Sequence, residues 1–262
     1  SSPELPSTTL AKSCCNNMFK GCTSLVTAPE LPATALEESC CNNMFNGCTS
    51  LVTVPKILPA TTLAQRCYES MFSGCTSLVS APELPATTLA EYCCNNMFNG
   101  CTSLVTVPQI LPATTLAWSC YEEMFSGCTS LVSAPDLPAT TLAGYCYHRM
   151  FSNCYSLKSA PNLPATTLAW SCYEEMFSGC RSLVSAPDLP ATTLAEYCYS
   201  SMFRDCSNLK SVTALFEKSV TNSLNGWLTG VSSIGTFYKN AEAVWENSGI
   251  IPAGWDVVLV TP

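Results

Sequence analysis

One histidine and nineteen cysteines are the residues from which nucleophilic or metal chemistry would have to be built. His148 sits in Tyr147-His148-Arg149-Met150-Phe151, at a position that matching runs fill with Glu122, Glu174 or Ser200. With no second histidine and no nucleophile-elbow motif, Ser-His-Asp and Cys-His arrangements have nothing to be assembled from, and His148 reads as a solvated helix residue. An isolated thiolate is the one nucleophile left. Sixteen cysteines fall in two columns, Cys14 to Cys198 four places before a methionine and Cys22 to Cys206 four places after one. The other three, Cys15, Cys41 and Cys94, alternate with tyrosines such as Tyr68 and Tyr121, which no metal-ligand position would tolerate. Cys-x-x-Cys spacing and Gly-rich phosphate loops are absent. The expectation is therefore no catalytic residue, no cofactor and no metal, with reduced, buried cysteines acting as small apolar side chains.

Two surface columns remain. Glu4, Glu30, Glu83, Asp136 and Asp188, with Asn162 among them, each follow a proline. Such a row reads as a solubilising guard, or as a site for a basic partner or Ca²⁺. The second column is aromatic: Trp118 and Trp170, with Tyr92, Tyr145 and Tyr197 one place later. Exposed, these rings would stack on sugars or anchor a protein; they would equally lie flat on a neighbouring coil.

What positions these columns is a repeat. All eight methionines occur in Met-Phe, at intervals of 26 or 27 residues from Met18 to Met202. A strict period of that length predicts a solenoid whose coils bury their apolar faces only by stacking. In residues 183–206, Leu183-Val184-Ser185-Ala186 predicts a strand of about four residues ended by Pro187. Leu194 to Phe203 predicts a short helix, with Thr193 and Glu196 as a capping box and Leu194, Cys198 and Met202 on one face. Gly, Asn or Asp before the second cysteine predicts a left-handed helix stop. The expected fold is thus an α/β solenoid of about eight coils over 1–206, with short parallel strands on one face and short helices on the other. Residues 207–262 are expected to form a β-rich cap that includes a hairpin.

Apolar residues make up 47% and charged residues 11%, a balance suited to narrow coils with several inward faces, and the net charge is −8. An acidic chain without Lys/Arg clusters argues against nucleic acid, and no apolar run is long enough to insert in a membrane. The chain opens within a repeat, at Ser1-Ser2-Pro3-Glu4, as it would if a leader or preceding segment had been removed.

Met-Phe-x-Gly-Cys-Thr-Ser-Leu, as in Met71 to Leu78, resembles the signature of BspA-like (Treponema-type) leucine-rich repeat surface proteins, and the likeness runs through residues 3–212. The tail around Gly249-Ile250-Ile251-Pro252-Ala253-Gly254-Trp255 is similar to end segments of relatives from gut and oral anaerobes. The resemblance implies a leucine-rich repeat fold, a bacterial cell-surface or extracellular location, and adhesion to host or matrix proteins. A glycan-binding module using the Trp/Tyr column, and a structural spacer in a longer protein, are the alternatives. The protein is expected to be a monomer with no enzymatic activity.

Overall fold

The computed structural model describes residues 5, 8–218, 220, 222–246 and 249–261. Glu4 lies outside them. Each coil pairs with the next in parallel, about one repeat further along the chain. β1 (Thr9–Leu10) pairs with β2 (Ala35–Leu36), and β3 (Thr62–Leu63) with β4 (Thr88–Leu89). A second line of contact runs through single bridges, Thr27 to Thr53, Ser80 to Thr106, Ser133 to Ser159 and Ser185 to Ser211. The expected four-residue strand at 183–186 is therefore reduced to one bridging residue per coil pair. The proline that follows removes the next ladder donor.

The expected helices are absent from the described residues, and a ribbon of turns takes their place. Residues 143–154 show its logic. The N–H groups of Cys146, His148, Met150, Ser152 and Cys154 donate three residues back, to Ala143, Tyr145, Tyr147, Arg149 and Phe151. Those of Tyr145, Tyr147, Arg149, Phe151 and Asn153 donate instead to the next coil, to Trp170, Cys172, Glu174, Met176 and Ser178. Every fourth residue has positive φ, here Tyr145, Arg149 and Asn153 at 55°, 53° and 59°. The helix is excluded by dimension. Packed helices stand roughly 8–10 Å apart, whereas stacked phenylalanines on successive coils are separated by only 5.4 to 5.7 Å. Only a flat backbone that sends alternate N–H groups to its neighbour fits that spacing. The left-handed position before the second cysteine is real, Gly127 having φ 72°, but it closes a turn rather than a helix.

The core is a set of columns. Phe45, Met44, Cys40, Cys48 and Leu51 are fully buried, as are their equivalents in the later coils. All nineteen cysteines are free thiols, and all but Cys14 and Cys22 are buried.

Among the described residues the tail forms no hairpin. β5 (Ser211–Ala214), β6 (Gly235–Asn240) and β7 (Trp255–Val260) make a three-stranded parallel sheet in that order. Between β5 and β6 the ribbon persists without its signature: Phe203 donates to Trp227 O, Tyr199 to Ser223 O, and Asn222, Gly226 and Gly230 have positive φ. Trp227 then packs against Phe203, Phe216 and Phe237, ending the phenylalanine column on a larger ring.

Candidate functional site

Coil by coil, one stretch of the ribbon alternates a large side chain with a small one. Glu91-Tyr92 is followed by Trp118-Ser119, Gly144-Tyr145, Trp170-Ser171 and Glu196-Tyr197. Ser119 and Ser171 are 1% exposed, so each tyrosine has a small, sunken neighbour on the adjacent coil. Gly144 plays the same part for the indoles. A Cβ there would stand 2.4 Å from Trp118 Cζ3. Its absence lets Trp118 and Trp170, two coils apart, close over the intervening coil at 5.8 Å between ring centroids and 29° between planes. Tyr145 meets both edge-on, at 5.5 and 4.6 Å, and Tyr197 meets Trp170 at 6.4 Å. The structure thus gathers four of the five predicted aromatics. Tyr92 lies apart from that group, with the Arg66 guanidinium 4.7 Å above its ring. Trp118 and Trp170 stay 37% and 39% exposed, while the three tyrosines are half-buried. They do not lie flat in the core.

His148 is not the solvated residue the sequence suggested. Its side chain is 12% exposed, its Nδ1 is 3.1 Å from Glu122 Oε1, and its ring stands edge-on to Tyr145 at 5.1 Å. No pattern in the sequence signals this, because the partner is one coil away at residue 122. Glu122, Glu123 and His148 form the one group of metal-ligating type among the described residues. Its carboxylates are already engaged. Asn95 donates to Glu122, and Asn99 to Glu123, both at 3.0 Å. Arg149 approaches Glu123 at 3.6 Å and clasps Glu175 through two bonds of 2.9 and 2.8 Å. Burial raises the affinity of Glu122 and Glu175 for protons. Hydrogen bonds from His148 to Glu122 and from Arg149 to Glu175, together with the guanidinium charge of Arg149, outweigh it and hold both carboxyls below the usual range. A fixed guanidinium beside Glu123 opposes a cation at that spot.

The deeply buried thiols of the stack offer no better nucleophile. Burial, reinforced by neighbouring thiols, pushes Cys101, Cys128, Cys154 and Cys180 well above the ordinary value, which keeps them protonated and inert. At the first coils Cys14 and Cys15 sit 3.6 Å apart, sulfur to sulfur. Hydrogen bonding from Cys41, against burial, lowers Cys15 to about 6.

The acidic residues Glu30, Glu83, Asp136 and Asp188 are all exposed. They stand on alternate coils, with Lys56, Gln109 and Asn162 on the coils between, so the structure does not bring the row together as a Ca²⁺ site. Near the tail, a concavity of about 520 Å³ lined by Trp227, Ile250, Ile251 and Trp255 contains no titratable side chain. No described helix is long and apolar enough to cross a membrane.

The chain is similar to a leucine-rich repeat protein from Bacteroides ovatus at 16% identity, over 94% of this chain and 86% of that one, with a TM-score of 0.30. It is also similar to a leucine-rich cell surface protein from Faecalibacterium prausnitzii at 16% identity, over 79% of each chain, with a TM-score of 0.25. Superposition at those scores supports no residue-level inference. No curated protein matches. A family model for the BspA-type leucine-rich repeat region matches residues 12–158 and 121–238 with six copies, and the chain belongs to that family.

Proposed function

We propose that this chain is a non-enzymatic surface protein, a solenoid that binds a host or matrix protein through the group formed by Trp118, Tyr145, Trp170 and Tyr197. One observation carries the reading. At the position of the two tryptophans other coils place Lys12, Glu38, Gln65, Glu91 and Glu196, so the fold itself is content with a polar residue there. Two indoles kept more than a third exposed, and stacked on each other, commit apolar surface that stacking of the coils does not require. Large, rigid rings of this kind dominate protein-binding hot spots. Membership of the BspA-type family, and the cell-surface relative in Faecalibacterium prausnitzii, support a surface location. In this reading residues 1–206 carry the repeats, 207–262 close the stack, and the protein works as a monomer. The test is surface-plasmon binding to a panel of extracellular-matrix proteins, with Trp118→Ala/Trp170→Ala as the control. A micromolar signal abolished by the double variant supports the proposal, and silence across the panel removes it.

A second reading has its own support. Trp118 and Trp170 stay more than a third exposed and the charge of Glu174 reaches Tyr145 between them, and a sugar ring stacks on such a surface while its hydroxyls bond to a nearby acid. A glycan array separates the two, because a sugar signal lost in the same double variant would decide for this one.

A further inference from the structure

A second surface runs along the stack at the bridging residues. Val26, Val52, Val79, Val105 and Val132 follow one another on five consecutive coils and are 53%, 47%, 46%, 46% and 40% exposed. Lys158 interrupts the ladder and Val184 resumes it. Beside it lie two equivalent clefts of about 450 and 330 Å³. The first joins Val52 and Pro55 to Glu83, and the second joins Val105 and Pro108 to Asp136. Both occur where a repeat is one residue longer and Ile57 or Ile110 bridges to the acid of the next coil. The valines and the acidic row are therefore two edges of one face.

The carboxylates of that row differ from those of the ribbon. Glu38, Glu69, Glu122, Glu123 and Glu175 each hold a basic or amide partner. Among the described residues, no ion pair or side-chain hydrogen bond engages Glu30, Glu83, Asp136 or Asp188. Their intervals are 53, 53 and 52 residues, two coils each. Strand spacing makes two coils roughly 10 Å. A polyproline-II chain has three residues per turn and advances roughly 9 Å in that turn, so every third side chain points the same way at nearly this interval. Over three intervals the mismatch is on the order of 1–3 Å, which the flexible stem of a lysine absorbs.

We propose that this face docks a cationic polyproline-II segment of a protein partner, lying along the stack, with a basic residue at every third position over the acids and its apolar residues against the valine ladder. The inference deepens the protein-binding reading but uses a different surface from the aromatic group.

The probe is a fluorescent (Pro-Pro-Lys)6 peptide, followed by anisotropy with the full chain. Its comparison is an isomer of the same composition with all lysines at one end. Four exposed ion pairs in register make the triplet peptide bind at least about five-fold more tightly than the block isomer, with a preference that salt erodes. Glu30→Gln/Glu83→Gln/Asp136→Asn/Asp188→Asn abolishes the preference, Val79→Ser/Val105→Ser weakens binding, and Lys56→Gln strengthens it. Trp118→Ala/Trp170→Ala leaves it unchanged, which separates this test from that of the aromatic group. Equal affinity for the two isomers, no measurable binding, or loss in the tryptophan variant but not the acid variant would each overturn the proposal.

Discussion

The thiol of Cys128 donates to the main-chain carbonyl of Phe98, 3.2 Å away on the preceding coil. That carbonyl already accepts the N–H of Cys101 at 3.1 Å. The same relation recurs from Cys48 on Phe19 to Cys206 on Phe177. The second cysteine column is thus a weak hydrogen-bond ladder as well as packing. Cys128→Ala removes a buried sulfur and a donor together, and should lower stability by about 1–2 kcal/mol in urea denaturation. Cys128→Ser, which keeps a donor, should cost less.

Alkaline pH should unfold the protein steeply. Burial raises the thiols of Cys67, Cys93, Cys120 and Cys146 well above 9, and the phenols of Tyr121, Tyr147 and Tyr199 well above 10. These groups stay protonated in the fold but ionise in the unfolded chain. Below the unfolded pKa they contribute nothing to pH dependence. Above it the unfolded state binds fewer protons, and each such group removes about 1.4 kcal/mol of stability per pH unit. Circular dichroism across pH 8 to 11 should show a cooperative loss beginning near the ordinary thiol pKa. A protein stable at pH 11 would contradict the buried-thiol columns.

Phe125→Ala opens a gap in a column whose rings stand 5.5 Å from Phe98 and 5.7 Å from Phe151. Loss of a fully buried ring should cost about 3–5 kcal/mol. Because each coil touches only its neighbours, hydrogen exchange should accelerate in residues of the adjoining coils and leave the tail sheet protected. Uniform acceleration would mean that the stack unfolds as a single unit.

The period, the cysteine columns and the parallel pairing were legible because each depends on one residue type recurring in step. The ribbon was not. Leu194, Cys198 and Met202 satisfy a helical spacing, yet every fourth residue, as at Tyr197 and Ser201, has positive φ. Nothing in the types Tyr or Ser announces a left-handed backbone, whereas Gly127 and Asn153 do. The decisive constraint, the short distance between coils, belongs to the stack and to no single repeat. The same holds for the ribbon over 222–230, where Ser223 and Trp227 replace cysteine and methionine and hide the continuity. At the aromatic group the residue types were readable, but its closure depends on Gly144, whose role appears only when three coils are superimposed.

Gly144 gives the sharpest test of that group. Its φ is not among the positive values, so alanine imposes no backbone strain, and the three heavy atoms nearest the added methyl all belong to the indole of Trp118. That ring is more than a third exposed and can swing outward. Gly144→Ala should therefore cost less than the roughly 1–3 kcal/mol typical of overpacking a buried site. The coupled near-UV dichroism of Trp118 and Trp170 should fall as their stacking opens. If the paired indoles form the docking surface, affinity for the protein partner should drop with that signal while the melting temperature holds. Affinity that survives loss of the stacked signal would show that the two rings act separately, and that their closure over residue 144 is packing alone.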